Sequence, residues 1–131
     1  MYEQETAGLV VRVAPQFLPE ESAPEEGRFV WAYTIEIENR SAEKVQLISR
    51  CWRITDENGL TQEVRGPGVV GKQPVLSPGQ SFRYTSACPL AAPSGVMMGA
   101  YSMVRLADGS AFEIAVPAFV LDSPHNSKLA N

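Results

Sequence analysis

The stretch FVWAYTIEIEN at residues 29–39 decides the fold class. Every second side chain from Phe29 to Ile37 is large and apolar, whereas Glu36 and Glu38 lie on the opposite parity. Successive side chains of a β-strand point to opposite faces, so this alternation predicts a long strand with one face in a core and the other in water. An Asn-Arg-Ser turn ends the segment.

The next segment, KVQLISRCWRITD at residues 44–56, alternates as well but changes parity part-way. Val45 and Leu47 share one parity, whereas Trp52 and Ile54 share the other. One extra residue in a strand moves every later side chain to the opposite face. We therefore predict a β-bulge between residues 48 and 50.

Further alternating segments follow the same pattern along the chain. Residues 9–15, LVVRVAP, predict a first strand, and Asn58-Gly59 and Asp108-Gly109 are turn dipeptides of hairpins. Pro117 indicates an edge strand or a bulge. No stretch has helical periodicity. We predict one all-β domain over residues 1–131, an antiparallel β-sandwich of seven to eight strands with its core at about 8–122 and a flexible tail at 123–131.

Composition and charge exclude several classes of protein. The chain has 131 residues and a net charge of −4, and an acidic chain lacks the basic stripe of a general nucleic-acid binder. It contains no run of about 20 apolar residues that would insert into a membrane. The first residues, MYEQETAG, do not resemble a signal peptide, so we expect a cytoplasmic protein.

Few residues in the sequence suit catalysis or metal binding. His125 is the one histidine, and a catalytic site would need it as a general base although it lies in a polar tail that we expect to be mobile. Cys51 and Cys88 lack metal-ligand spacing, and both are expected to be reduced thiols. The four Glu residues in the loop at 16–27 favour a solvated segment over a cation site. We expect neither an enzyme nor a cofactor.

The segment GPGVVG at residues 66–71 fits the GxGxxG pattern of dinucleotide-binding loops. Such a loop needs a following helix whose free N–H groups meet phosphate, and Pro74 interrupts any helix there. Lys72 keeps open a weaker interpretation, an anion-binding nest of backbone amides. The alternative that we favour is a tight crossover between sheets, in which the glycines adopt positive φ.

Five segments together resemble the ApaG family. They occur in the family's order: VQLISRCWRITDENG (45–59), EVRGPGVVGKQP (63–74), SPGQSFRYTS (77–86), GVMMGAYSM (95–103) and FEIAVPAFVL (112–121). The resemblance implies a fibronectin type III-like β-sandwich of the immunoglobulin-like type, and a family link to cobalt tolerance and magnesium efflux. The domain also serves as a module in certain eukaryotic F-box proteins, which implies protein–protein interaction. Cys51 departs from the His or Tyr expected at that position in many members.

Our leading hypothesis is a non-enzymatic module that binds an unidentified protein partner or a small anionic ligand. The alternative is a nucleotide- or polyphosphate-binding protein, with a possible phosphohydrolase activity that uses residues 66–72 and a divalent cation. The sequence offers few ligands for direct carriage of Mg²⁺ or Co²⁺. Cobalt favours His and Cys, and the chain has one histidine in its tail and two separated cysteines. Edge strands could support a homodimer. The candidate binding residues are Gly66, Gly68, Val69, Gly71, Lys72 and Gln73; Lys72 is included as a possible anion contact, and the other five match the family's glycine-rich segment.

Overall fold

Two antiparallel β-sheets pack face to face in a computed structural model that describes residues 1–125. Two 3₁₀ turns, Pro19–Glu21 and Pro24–Glu26, occupy the acidic loop. The strands are β1 (Tyr2–Thr6), β2 (Leu9–Phe17), β3 (Phe29–Asn39), β4 (Val45–Asp56), β5 (Thr61–Pro67), β6 (Val75–Leu76), β7 (Ser81–Leu90), β8 (Gly95–Arg105) and β9 (Ala111–Leu121).

The strand order confirms the predicted all-β sandwich. The first sheet has the order β1-β2-β3-β7, and the second has the order β5-β4-β8-β9 with β6 also paired to β4. Two of the nine strands in the described part of the chain, β1 and β6, were not predicted. The sequence of β1, YEQET, is mostly polar, and it becomes a strand by pairing with β2 from Tyr2 opposite Val13 to Thr6 opposite Leu9.

Both predicted irregularities are present and both serve the core. The register between β4 and β8 shifts between Leu47 and Ser49, so that Leu47 and Trp52 are buried on the same side of the sheet despite their different parity. A second shift, between Met97 and Gly99 of β8, lies opposite Pro117 in β9. The proline therefore lies at a bulge of an edge strand, as predicted.

Aromatic side chains form the centre of the core. Their rings are buried between the two sheets. Trp52 meets its neighbours mostly edge to face, at centroid distances between 5.5 and 6.2 Å. The buried aromatic residues are Phe29, Trp31, Tyr33, Trp52, Tyr84, Tyr101 and Phe119.

One lateral side of the sandwich is closed, and the opposite side is open. On the closed side, the Ala115 N–H of β9 donates to Thr6 Oγ1 at 3.3 Å, and the Val120 N–H donates to the Tyr2 hydroxyl at 3.2 Å. On the other side, the last strands are β7 of the first sheet and β5 of the second. A groove separates these two edges, and we call it the open groove.

A proline stands at the outer side of each of these two edges. The Val30 N–H donates to Ser22 Oγ, and the Val30 carbonyl accepts from the Leu18 N–H. Both polar groups of Val30 therefore point away from β7. Antiparallel pairing alternates bonded and non-bonded pairs, so Pro89, opposite Val30, turns its peptide groups to the free edge of β7. Pro67 has the same position in β5, next to Gly68, whose N–H donates to the Ile48 carbonyl of β4. Neither proline offers an N–H.

The start of the predicted tail contacts the core. Ser123 is buried and its hydroxyl donates to the Pro93 carbonyl at 2.6 Å, while the His125 ring lies about 6 Å from the rings of Phe17 and Phe29. Residues 126–131 lie outside the described residues, so the flexible tail stays a prediction. In the described range, no helix is long and apolar enough to cross a bilayer.

Candidate functional site

The glycine-rich segment forms a tight reversal within one sheet. Both β5 and β6, which flank it, pair with β4, so the predicted crossover between sheets is wrong. The turn is followed by β6 in place of the helix that a dinucleotide-binding loop requires. The N–H groups of Gly68, Val69 and Lys72 donate to the carbonyls of Ile48, Lys72 and Val69 respectively, at 2.8 to 2.9 Å. A phosphate-binding nest could not use these three donors.

Positive φ angles at Val70 and Gly71 make this turn. Their values, 44° and 77°, match the pattern of a type I′ turn, which needs positive φ at both central residues. For a β-branched residue such as Val70 this conformation is strained, by roughly 1–3 kcal/mol. Val70 is also 52% exposed, so the strain presents an apolar side chain to solvent. Val70 belongs to the predicted glycine-rich segment but was not among its six candidate binding residues.

The other predicted residues have mainly structural contacts. Val69 is fully buried, and the Gln73 side-chain amide donates to the Ile48 carbonyl at 2.9 Å, which ties the turn to β4. The carbonyl of Lys72 closes the turn, and the residue is exposed. Gly66 lies in β5 opposite Arg50 of β4. The structure thus brings the six candidates together along one turn, beside an arginine that was not among them.

Arg50 extends across Gly66 toward the free edge of β5. Its Nη1 donates to the carbonyls of Pro67 and Gly68 at 3.1 and 2.8 Å. A Cβ added to Gly66 would lie 3.1 Å from both Nη1 and Nη2, so the missing side chain provides the space for the guanidinium. Arg53 and Arg65 pair with Glu63, whereas Arg50 has no carboxylate partner within residues 1–125.

The open groove contains Arg50 at the boundary of two adjoining cavities. Their volumes are about 260 and 170 Å³, and they share Tyr33, Arg50, Trp52 and Ser86. The larger cavity continues along β5 past Val64, and the smaller one reaches the turn at Val70. The groove therefore combines aromatic walls with one partly buried cation, a combination that suits an anionic group carried on an apolar segment.

The other titratable groups of the groove are neutral near pH 7, and burial moves their pKa values further above it. It raises the pKa values of Tyr33 and Tyr84, although the nearby charge of Arg50 lowers them slightly. It also raises the pKa of the Cys88 thiol to about 11. A group of three or more His, Cys, Asp or Glu side chains able to hold a metal ion is absent from the described part of the chain. The charge of the groove thus comes from Arg50.

Stability should fall in alkaline solution because of these buried groups. Cys88 ionises near pH 9 in the unfolded chain but only near pH 11 when folded, so the unfolded state loses its proton first. We expect a constant free energy of unfolding from pH 7 to 8, then a fall above pH 9 to which Cys88 contributes about 2 kcal/mol by pH 11. Urea unfolding at each pH measures this. A Cys88→Ala variant should show a shallower fall, and equal slopes would contradict the assignment.

The hydroxyls of Tyr84 and Tyr101 form a buried hydrogen bond between the two sheets. Replacing Tyr84 with Phe leaves the Tyr101 hydroxyl, which is fully buried, without its partner. We expect this variant to lose about 1–3 kcal/mol of unfolding free energy. The double variant Y84F/Y101F removes both polar groups and should recover most of the loss. Additive losses in the double variant would contradict this account.

Comparison with known proteins identifies the family. The sequence profile described as the ApaG domain (DUF525) matches residues 19–105. The chain belongs to the ApaG family. Protein ApaG of Methylobacterium sp. (strain 4-46) is 60% identical over 125 residues, 95% of each chain. Protein ApaG of Rhodospirillum centenum is 56% identical over 131 residues and the full length of both chains.

Solved structures agree with the ApaG assignment. The crystal structure of an ApaA protein from Bordetella pertussis superposes with a TM-score of 0.85 and 47% identity, covering 90% of this chain and 95% of that one. The C-terminal domain of wzt shares the fold alone, with a TM-score of 0.56 and 11% identity over 92% of this chain and 76% of that one. The family and the sandwich predicted from the sequence are both confirmed.

Proposed function

We propose that this ApaG protein is a non-enzymatic binding module that recruits a protein partner through the open groove. The difference between the two lateral sides of the sandwich carries the proposal. One side is closed by hydrogen bonds between β1 and β9. The other side exposes two strand edges and Arg50, which is partly buried and has no carboxylate partner in the described residues. An arginine among aromatic rings is typical of the centre of a protein interface.

The rim of the groove supports the same proposal. Val64 and Val70 are 39% and 52% exposed, and they stand on either side of Arg50 along the groove. The floor is rigid, because Trp52 and Tyr33 belong to central strands of the two sheets. A preorganised floor reduces the entropy that binding would otherwise cost. The strained turn at Val70 holds an apolar side chain at the end of this surface.

The cellular role follows from this mode of action. We propose that the protein acts in the cytoplasm and that the family link to cobalt tolerance and magnesium efflux runs through the bound partner. The alternative, a nucleotide or polyphosphate bound at residues 66–72, has less support because three backbone donors of that segment are bonded within the fold. Arg50 is the group that a free anion would meet, and a titration with tripolyphosphate distinguishes such an anion from a protein partner.

Site-specific photocross-linking in cells tests the proposal. A photoreactive phenylalanine analogue replaces Val64 in the groove or Val120 on the closed side, two valines of similar exposure on edge strands. We expect a discrete cross-linked protein from position 64 that is absent from position 120. Adding Arg50→Gln should reduce the yield several-fold. The same set of adducts from both positions, or none from position 64, would overturn the proposal.

A further inference from the structure

We infer that the partner contributes an extended acidic segment that adds to β5 as a new strand and pairs an acidic side chain with Arg50 opposite Gly66. The inference rests on the proposed function and specifies its chemistry. It names the strand that is extended, the length of the segment and the position of its charged residue. Each of these follows from the pairing of β5 with β4.

The alternation of hydrogen-bonded and non-bonded residues between β5 and β4 shows which peptide groups of β5 face outward. The Asp56 N–H donates to the Leu60 carbonyl at the start of the hairpin, and the Gly68 N–H donates to the Ile48 carbonyl at its end. Bonded and non-bonded pairs alternate between these two points. Residues 62, 64 and 66 therefore bond β4, whereas residues 61, 63 and 65 turn their N–H and carbonyl groups to the free edge.

The side chains of β5 determine what an added strand would meet. Gln62 and Val64 point into the open groove, and Gly66 has the same parity but no side chain. The Arg50 guanidinium fills this gap, with its three nearest atoms 3.1–3.2 Å from the position of a Gly66 Cβ. Directly opposed residues of paired strands have Cβ atoms roughly 4.5–5.5 Å apart. An Asp or Glu opposite Gly66 therefore reaches Arg50, which offers a planar pair of donors to a carboxylate.

The length of the segment follows from the ends of the edge. Pro67 occupies the next outward position, has no N–H, and its carbonyl already accepts from Arg50, so it ends the ladder. The Asn58-Gly59 turn ends the strand on the other side. About five residues can pair along residues 61–66, and the one opposite Val64, two positions from the acid, should be apolar.

Antiparallel addition of β5 from a second copy does not satisfy Arg50. In an antiparallel pair outward residues meet outward residues, so β5 of another copy would place Gln62, Val64 or Gly66 opposite Gly66. None of the three is acidic, and Arg50 would stay without a carboxylate. Glu63 has the opposite parity, which excludes it in every antiparallel register. The chemistry of the site thus favours a different chain.

A symmetric nine-residue probe peptide, acetyl-STVTETVTS-amide, tests the inference. Its central Glu has Val two residues away on both sides, so it can pair in either strand direction. The full chain is titrated with this peptide and with the Glu→Gln control, followed by amide NMR. We expect the largest shifts at Thr61, Glu63 and Arg65, and a roughly ten-fold weaker affinity for the Gln peptide, equivalent to about 1.4 kcal/mol.

Variants of Arg50 complete the experiment. In Arg50→Gln the preference for Glu over Gln should disappear, and in Arg50→Lys part of it should remain because the charge is kept. Unchanged amide shifts elsewhere in the spectrum would show that the variants fold. Equal binding of both peptides, binding of neither at millimolar concentration, or shifts centred on Arg83 and Thr85 of β7 would overturn the inference.

Two further arms separate other occupants. Tripolyphosphate that shifts the amides of Gly66, Gly68 and Gly71, with no response to the peptide, would indicate a free-anion site and overturn the inference. Concentration-dependent broadening of the β5 amides without peptide would indicate a second copy and also overturn it. Cross-linking from position 64 with a failed peptide titration would leave the proposed function standing and remove only strand addition. Failure of both would remove both.

Discussion

Replacing Trp52 with alanine is expected to lower the free energy of unfolding by about 3–5 kcal/mol. The indole is only 3% exposed and contacts the rings of Tyr33, Tyr101 and Phe119, so its loss removes a large apolar surface and leaves a cavity. These neighbours come from both sheets, whose backbone pairing limits how far they can collapse into the space. A loss at the upper end of the range is therefore expected.

Denaturant unfolding followed by circular dichroism measures this loss, and Trp52→Phe is the matched control. Phe keeps an aromatic ring in the same place and should retain more than half of the lost free energy. Because the same indole forms the floor of the open groove, the alanine variant should also lose the probe peptide described above. A loss below 1.5 kcal/mol for Trp52→Ala would show that the core is not organised around this ring.

Gly68→Ala is expected to cost about 2–3 kcal/mol through a backbone collision. Its added Cβ would lie 2.3 Å from the Lys72 carbonyl oxygen, the acceptor that closes the turn, and Gly68 has a φ of 60°. Backbone cannot move aside as a flexible side chain can. The turn must open, and the carbonyls that hold Arg50 move with it.

Gly71→Ala is the matched control for this variant. Gly71 also has positive φ, at 77°, but nothing lies within 4 Å of its added Cβ. Only the conformational cost remains, about 1 kcal/mol. Thermal unfolding of both variants measures the difference. Equal losses would mean that positive φ, and not the contact with Lys72, explains why glycine is needed at position 68.

Much of the fold could be predicted because its signals are local. The alternation along residues 29–39 depends only on neighbouring residues, and the structure contains it as the buried face of β3. The parity change before Trp52 is equally local, and the structure contains it as the bulge in β4. β1 escaped prediction because its pairing with β2, and not its own polar sequence, makes it a strand. A partner strand leaves no trace in local alternation.

The candidate site could be predicted only in part. The glycine-rich segment was found, but its importance lies in what Gly66 leaves empty for Arg50, sixteen residues earlier in the chain. Counting outward from a two-residue turn at Asn58-Gly59 would put Pro67 opposite Arg50, whereas the structure pairs Asp56 with Leu60 and so puts Gly66 there; the turn was therefore only an approximate signal for this pair. The open groove had no such signal, because it depends on which edges the two sheets leave unpaired.

The prolines at the two free edges also limit self-assembly. A sheet edge with unbroken donors is a template on which copy after copy can stack, and this is how filaments grow. Pro67 and Pro89 interrupt the row of donors on both edges beside the groove. Substituting them should leave the monomer folded while shortening the lag before fibril formation. The edge of β5 can therefore pair with one short strand, while the prolines limit continuous edge-to-edge assembly of many copies.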